Sequence, residues 1–156
     1  MRTLVAGIGN IFNRDDAFGV EVAQRLGARS MPDDVRVEDY GIRGLHLALE
    51  LLEGYDLLVL VDAMASSEPP GTVFLVEPTD DDAAEPLDAH RMDPQAVLGM
   101  VAELGGEIGQ VLVVGCQPEA LDEGIGLTPV VAAAVEPAAR MVEDLIAERN
   151  VSCSVA

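Results

Sequence analysis

Apolar and polar positions along this chain follow two periods in turn. Thr3-Leu4-Val5-Ala6 is a short apolar run that predicts a first strand. A turn rich in glycine and acid follows, Gly7-Ile8-Gly9-Asn10-Ile11-Phe12-Asn13-Arg14-Asp15-Asp16-Ala17-Phe18-Gly19. Residues 20–26 have helical spacing and stop at Gly27. Residues 35–39 alternate as a strand does, and the glycine-flanked turn Tyr40-Gly41-Ile42-Arg43-Gly44 leads into a helix over 45–52 that ends at Gly54. Residues 57–61 are unbroken Leu and Val, as expected of a central parallel strand buried on both faces, and they run into Asp62.

The second half continues the alternation. A Pro/Ser turn over 66–71 precedes a strand over 72–77. That strand returns too soon for a parallel crossover, so it runs antiparallel to its predecessor. Residues 78–89 are acidic and irregular, and are expected to form a surface loop. Asp93 and Pro94 are a good N-cap and first helical residue for a helix to about Leu104. Residues 110–115 are the last core strand. Thr128 and Pro129 repeat the cap-then-proline signal for a final helix to about Glu148, which Pro137 kinks or breaks. The sum is βαβαβ, one antiparallel strand, then αβα. This predicts a three-layer α/β/α sandwich around a mostly parallel twisted sheet with one antiparallel strand. A single domain over 1–150 is expected, with a frayed tail over 151–156.

Composition narrows the class. A chain of 156 residues with 49% hydrophobic content suits one globular domain. No apolar run approaches the roughly 20 residues of a membrane span. The chain enters a strand at once, without a cleavable signal pattern. Two cysteines, Cys116 and Cys153, make no disulfide framework, so the cytoplasm is the expected compartment. The net charge of −19 argues against nucleic acid and anionic membranes as partners. Solubility accounts for such a charge, and so does attraction to a basic or metal-loaded partner.

The turn after the first strand raises the question of chemistry. In a doubly wound sheet with strand order 2-1-3, Asp16 follows strand one and Asp62 ends its neighbour. Their carboxyl ends flank the topological switch point, where ligands bind. Two converging carboxylates repel each other unless a cation or a proton lies between them. His90, in the loop before a helix, is placed to reach the same edge. Two carboxylates and one imidazole make a site for a borderline divalent metal with positions open to substrate. Each residue also has a plainer role: Asp15 as a helix cap or other structural acid, His90 as a solvated loop side chain, His46 on a helix surface, Cys116 as a packed thiol. Asp62 is harder to explain structurally, because a buried acid is costly unless paired or in a cleft. Gly7-x-Gly9 opens a dinucleotide fingerprint, but position 12 is Phe and the acids would face the phosphates. There is no phosphate-binding loop, nucleophile elbow, H-E-x-x-H, or serine or cysteine triad.

Together these positions resemble the hydrogenase maturation endopeptidases. The likeness rests on Gly7-Ile8-Gly9-Asn10, Asp15-Asp16, Asp39-Tyr40-Gly41, Val61-Asp62-Ala63 and His90. It extends through Val114-Gly115, Pro118-Glu119, Gly126-Leu127-Thr128-Pro129 and Glu136-Pro137-Ala138. It implies a phosphorylase/hydrolase-like sandwich. It also implies an enzyme that removes the C-terminal extension of a [NiFe] hydrogenase large-subunit precursor once nickel is in place. By the same resemblance Asp16, Asp62 and His90 contact nickel and serve catalysis, with the nickel brought by the substrate. Asp39 and Gly41 would recognise the substrate, and Gly7, Gly9, Asn10 and Asp15 would shape the turn. A monomer is expected. Ile42 and Ala17 depart from the family, which more often has Thr and Gly there. The alternatives are a non-cleaving, metal-dependent checkpoint protein for the same precursor, and a nucleotide-binding domain with a degenerate glycine turn.

Overall fold

The computed structural model describes residues 1–78 and 94–154, with side chains as far as Arg149. Among the described residues, five strands form one sheet: β1 (Thr3–Ile8), β2 (Val35–Gly41), β3 (Leu57–Ala63), β4 (Val73–Val76) and β5 (Gln110–Cys116), in the order β2-β1-β3-β5-β4. All neighbours are parallel except β4, which lies antiparallel on β5 at the edge. β4 therefore runs against β3, as its early return predicts. Its hydrogen bonds go to β5, because the later strand takes the place beside β3. β1 and β3 are buried along almost their whole length, which explains their continuous apolar runs.

Helices cover both faces. α1 (Phe18–Gly27), α4 (Pro129–Ala132) and α5 (Val135–Ser154) lie on one side. There Phe18, Val22, Val131 and Val142 pack against Val5, Val59 and Leu112. α2 (Gly44–Leu51) and α3 (Pro94–Glu103) lie on the other, where Leu47, Leu51, Val97 and Val101 meet Leu4, Leu58 and Val113. Arg25 of α1 pairs with Glu136 of α5, and Arg29, two residues past the end of α1, pairs with Glu136 and Glu143.

The final helix is two helices. Ala133 and Ala134 separate α4 from α5, and Pro137 sits in the first turn of α5, where an amide proton has no partner to lose. α5 runs to Ser154, past the end near Glu148 that the sequence predicts. Among the described residues no helix is long and apolar enough to cross a membrane. The acidic stretch 79–89 and the cap Asp93 lie outside the described residues.

β1 connects through α1 to β2 on one side, and the chain after β3 leads toward β5 and β4 on the other. The carboxyl ends of β1 and β3 thus border a switch point, the place where such sheets carry their sites.

Candidate active site

The site begins with glycines that let the chain fold back tightly. A Cβ on Gly7 would overlap the Gly19 carbonyl oxygen and the Ala23 methyl. A Cβ on Gly19 would strike the Val61 and Ile8 carbonyls, so the start of α1 is seated directly on the ends of β1 and β3. Gly9 has φ +139°, and a Cβ there would overlap the Asp16 carbonyl. Its amide donates to the Gly41 carbonyl at 3.0 Å, which joins the turn after β1 to the turn after β2.

These contacts fold residues 10–17 into a compact loop ending in a single 3-10 turn, Arg14–Ala17. The Asn10 carboxamide oxygen accepts from the Phe12 amide at 2.9 Å, and the Asn10 amide donates to the Asp16 carboxylate at 2.9 Å. One Asp16 oxygen is therefore held by the backbone at the mouth of the turn, and the residue is partly exposed. Arg14 has φ +46°, a conformation that costs a non-glycine residue of order 1 kcal/mol or more. Its amide bonds to the Gly124 carbonyl at 3.0 Å and its guanidinium reaches Asp122 at 3.3 Å, which hold it there.

Asp15 points the other way and is fully buried. It does not cap α1. Its carboxylate accepts from the amides of Glu119 and Ala120, both at 2.9 Å, from the Thr128 amide at 2.7 Å and from the Thr128 hydroxyl. Burial pushes its pKa up, but the amides of Ala120, Thr128 and Glu119 with the Thr128 hydroxyl outweigh it and hold the acid below its ordinary value. Thr128 is in the N-cap position of α4, yet its hydroxyl serves Asp15 instead of the helix. The acid pair thus divides its work. Asp15 anchors the loop between β5 and α4, and Asp16 faces the edge.

Asp62 is buried near the end of β3, in register with Gly115 of β5. It lines a cavity of about 320 Å³ with Ala63, Met64, Val76, Pro94 and Gln95. Asp62, near the end of β3, and Asp16, in the turn that follows the neighbouring β1, lie at the same edge of the sheet, and Asp16 is not part of the Asp62 cavity's lining. His90 lies outside the described residues. Among those described, no group of three or more His, Cys, Asp or Glu side chains is placed to hold a metal.

On the other side of the turn, Asp39 and Gly41 line a second groove with Gly9, Asn10 and Phe12. Gly41 has φ +56°. Asp39 accepts from the Gln24 amide nitrogen at 3.2 Å, and Arg43 folds back to donate to the Asp39 and Tyr40 carbonyls. Cys116 is buried, and burial reinforced by the Asp15 carboxylate pushes its thiol up to about 11, so it packs as an inert side chain. The sequence marks parts of the loop 117–128 by their family likeness but gives that loop no role in the site, and the structure shows that it anchors Asp15. The pairing of Asp15 with Thr128 spans the chain and leaves no local signal.

A family model described as hydrogenase maturation protease matches residues 20–145, beginning just past the turn. The hydrogenase 2 maturation protease of Escherichia coli is 34% identical over 97% of this chain and 94% of its own. The hydrogenase expression/formation protein HoxM of Azotobacter vinelandii is 35% identical over 95% of this chain and 73% of its own. Among solved structures, the hydrogenase maturating endopeptidase HybD from E. coli superposes with a TM-score of 0.77 at 31% identity, over 96% of this chain and 94% of that one. A [NiFe] hydrogenase maturation protease HycI from Thermococcus kodakarensis superposes at 0.71 with 25% identity, over 92% and 90%. With its sheet order, its edge acids and these likenesses over nearly the whole chain, the protein belongs to the hydrogenase maturation protease family.

Proposed function

We propose that this chain is the endopeptidase that removes the C-terminal extension of a [NiFe] hydrogenase large-subunit precursor after nickel insertion. Asp16, Asp62 and His90 read the nickel that the precursor carries. The observation that supports this most is that Asp16, in the turn after β1, and Asp62, at the end of the neighbouring β3 and beside a cavity, share one sheet edge in a chain of the maturation protease family. Two carboxylates and an imidazole form a modest donor set, suited to completing the shell of a metal already ligated by its own protein. Nickel bound to the substrate supplies positive charge near the scissile carbonyl. The chain's own residues hold and orient. The Asn10 amide fixes one oxygen of Asp16, the glycine contacts seat α1 against the strand ends, and Asp15 ties down the neighbouring loop. Water adds across the peptide bond, its hydroxyl going to the carbonyl carbon and its proton to the leaving amine. Asp39 and Gly41 belong to the surface that meets the precursor, and the site works in the cytoplasm.

Substituting Asp62→Asn or His90→Ala tests the assignment. Both variants are expected to fold with wild-type melting behaviour and to lose trimming of nickel-loaded precursor by at least about 100-fold. Trimming at the wild-type rate by both would remove these residues from the site.

A further inference from the structure

We propose that the outward face of α2 docks the folded body of the hydrogenase precursor, an inference that rests on the reading that such a precursor is the substrate. Ile42 stands two residues before α2, Leu45 and Leu49 lie one turn apart on it, and Leu52 follows at its C-cap in the next turn. They are 63, 56, 48 and 40% exposed. The inward side of the same helix, Leu47, Ala48 and Leu51, is fully buried. α2 is therefore apolar on two faces, whereas a surface helix ordinarily turns polar residues outward. Single exposed leucines need no explanation, but an ordered row of them marks a contact surface.

Charge flanks the row at Arg43 and Glu53 and is sparse within α2 itself. The one acid of α2, Glu50, is engaged by the Arg36 guanidinium at 2.8 Å and the Tyr55 hydroxyl at 2.6 Å. At its upper end the row does not stop. Ile42 also lines the groove beside the glycine turn, together with Ile11 and Phe12, which are exposed as well. One apolar surface thus continues from α2 to the edge that carries Asp16.

Size and charge decide the occupant. An eight-residue helix is about 12 Å long. Its row alone falls far short of the roughly 800 Å² that each side of a stable dimer covers. Two copies would also bring together bodies of net charge −19, which repel. A protein that delivers a segment to the Asp16 edge covers both the groove and the row at once. The occupant is the precursor, its apolar surface on α2 and its C-terminal segment at the edge.

The experiment uses the full chain, nickel-loaded large-subunit precursor, and the double variant L45S/L49S, with L49S alone in case the double variant melts early. Sedimentation reads binding and self-association, and intact mass reads cleavage. Wild type is expected to sediment alone as a monomer and to bind precursor. The double variant should raise Kd and KM by roughly tenfold or more, with kcat within about twofold of wild type. Binding as tight as wild type by the variant overturns the proposal. So does a wild-type dimer that the variant dissolves, or a wild type that binds no precursor. Binding without cleavage, weakened by the variant, supports the docking surface and overturns the protease reading.

Discussion

The two adjacent acids differ because of what each carboxylate touches. Asp16 is held by one amide at the edge, whereas Asp15 is buried with three amides and a hydroxyl from a loop more than a hundred residues away in sequence. Replacing Asp15 by Asn substitutes a donor for an acceptor among these amides. It should cost about 3 kcal/mol, read by urea unfolding at neutral pH. The sign of the pH dependence follows from the lowered pKa of Asp15. The unfolded chain takes up this proton at a higher pH than the folded one. Asp15 therefore contributes its full stability above the ordinary carboxylate range, near pH 4, and loses it as pH falls through its folded value. The D15N variant should lack that part of the acid limb. An acid limb as steep as that of wild type would show that the carboxylate is not what holds the loop.

At the scale of elements, close backbone approach fixes how α1 meets the sheet. Gly7→Ala or Gly19→Ala forces a methyl into a carbonyl oxygen and should destabilise by about 3 kcal/mol or more. Gly27→Ala, where a Cβ meets nothing and φ is ordinary, should be neutral or stabilising by up to about 1 kcal/mol. Thermal melting of the three variants checks this, and equal melting temperatures would contradict it. Most elements are legible in the sequence because the signals are local. Leu57–Ala63 declares itself by an unbroken apolar run, and Pro129 and Pro137 by the amide protons they lack. Less legible is whatever depends on distant partners. Nothing near Val73 says that β4 will pair with β5, and nothing near Thr128 says that its hydroxyl belongs to Asp15 instead of α4. Of the candidate site, the strand-end acids follow from topology, while the anchoring loop behind them does not.

At the scale of the whole molecule, one edge of a doubly wound sheet gathers the glycine turn, Asp16, Asp62 and the groove that continues onto α2. The α5 side carries packing against the sheet and the ion pairs of Arg25 and Arg29 with Glu136 and Glu143. Under the proposed function, that one edge meets a folded precursor and responds to the metal it carries. The most direct test is to incubate the chain with nickel-loaded and nickel-free large-subunit precursor and to weigh both intact. The loaded precursor should lose the mass of its C-terminal extension while the nickel-free form stays whole. An unshortened loaded precursor, or equal shortening of both forms, would contradict the account.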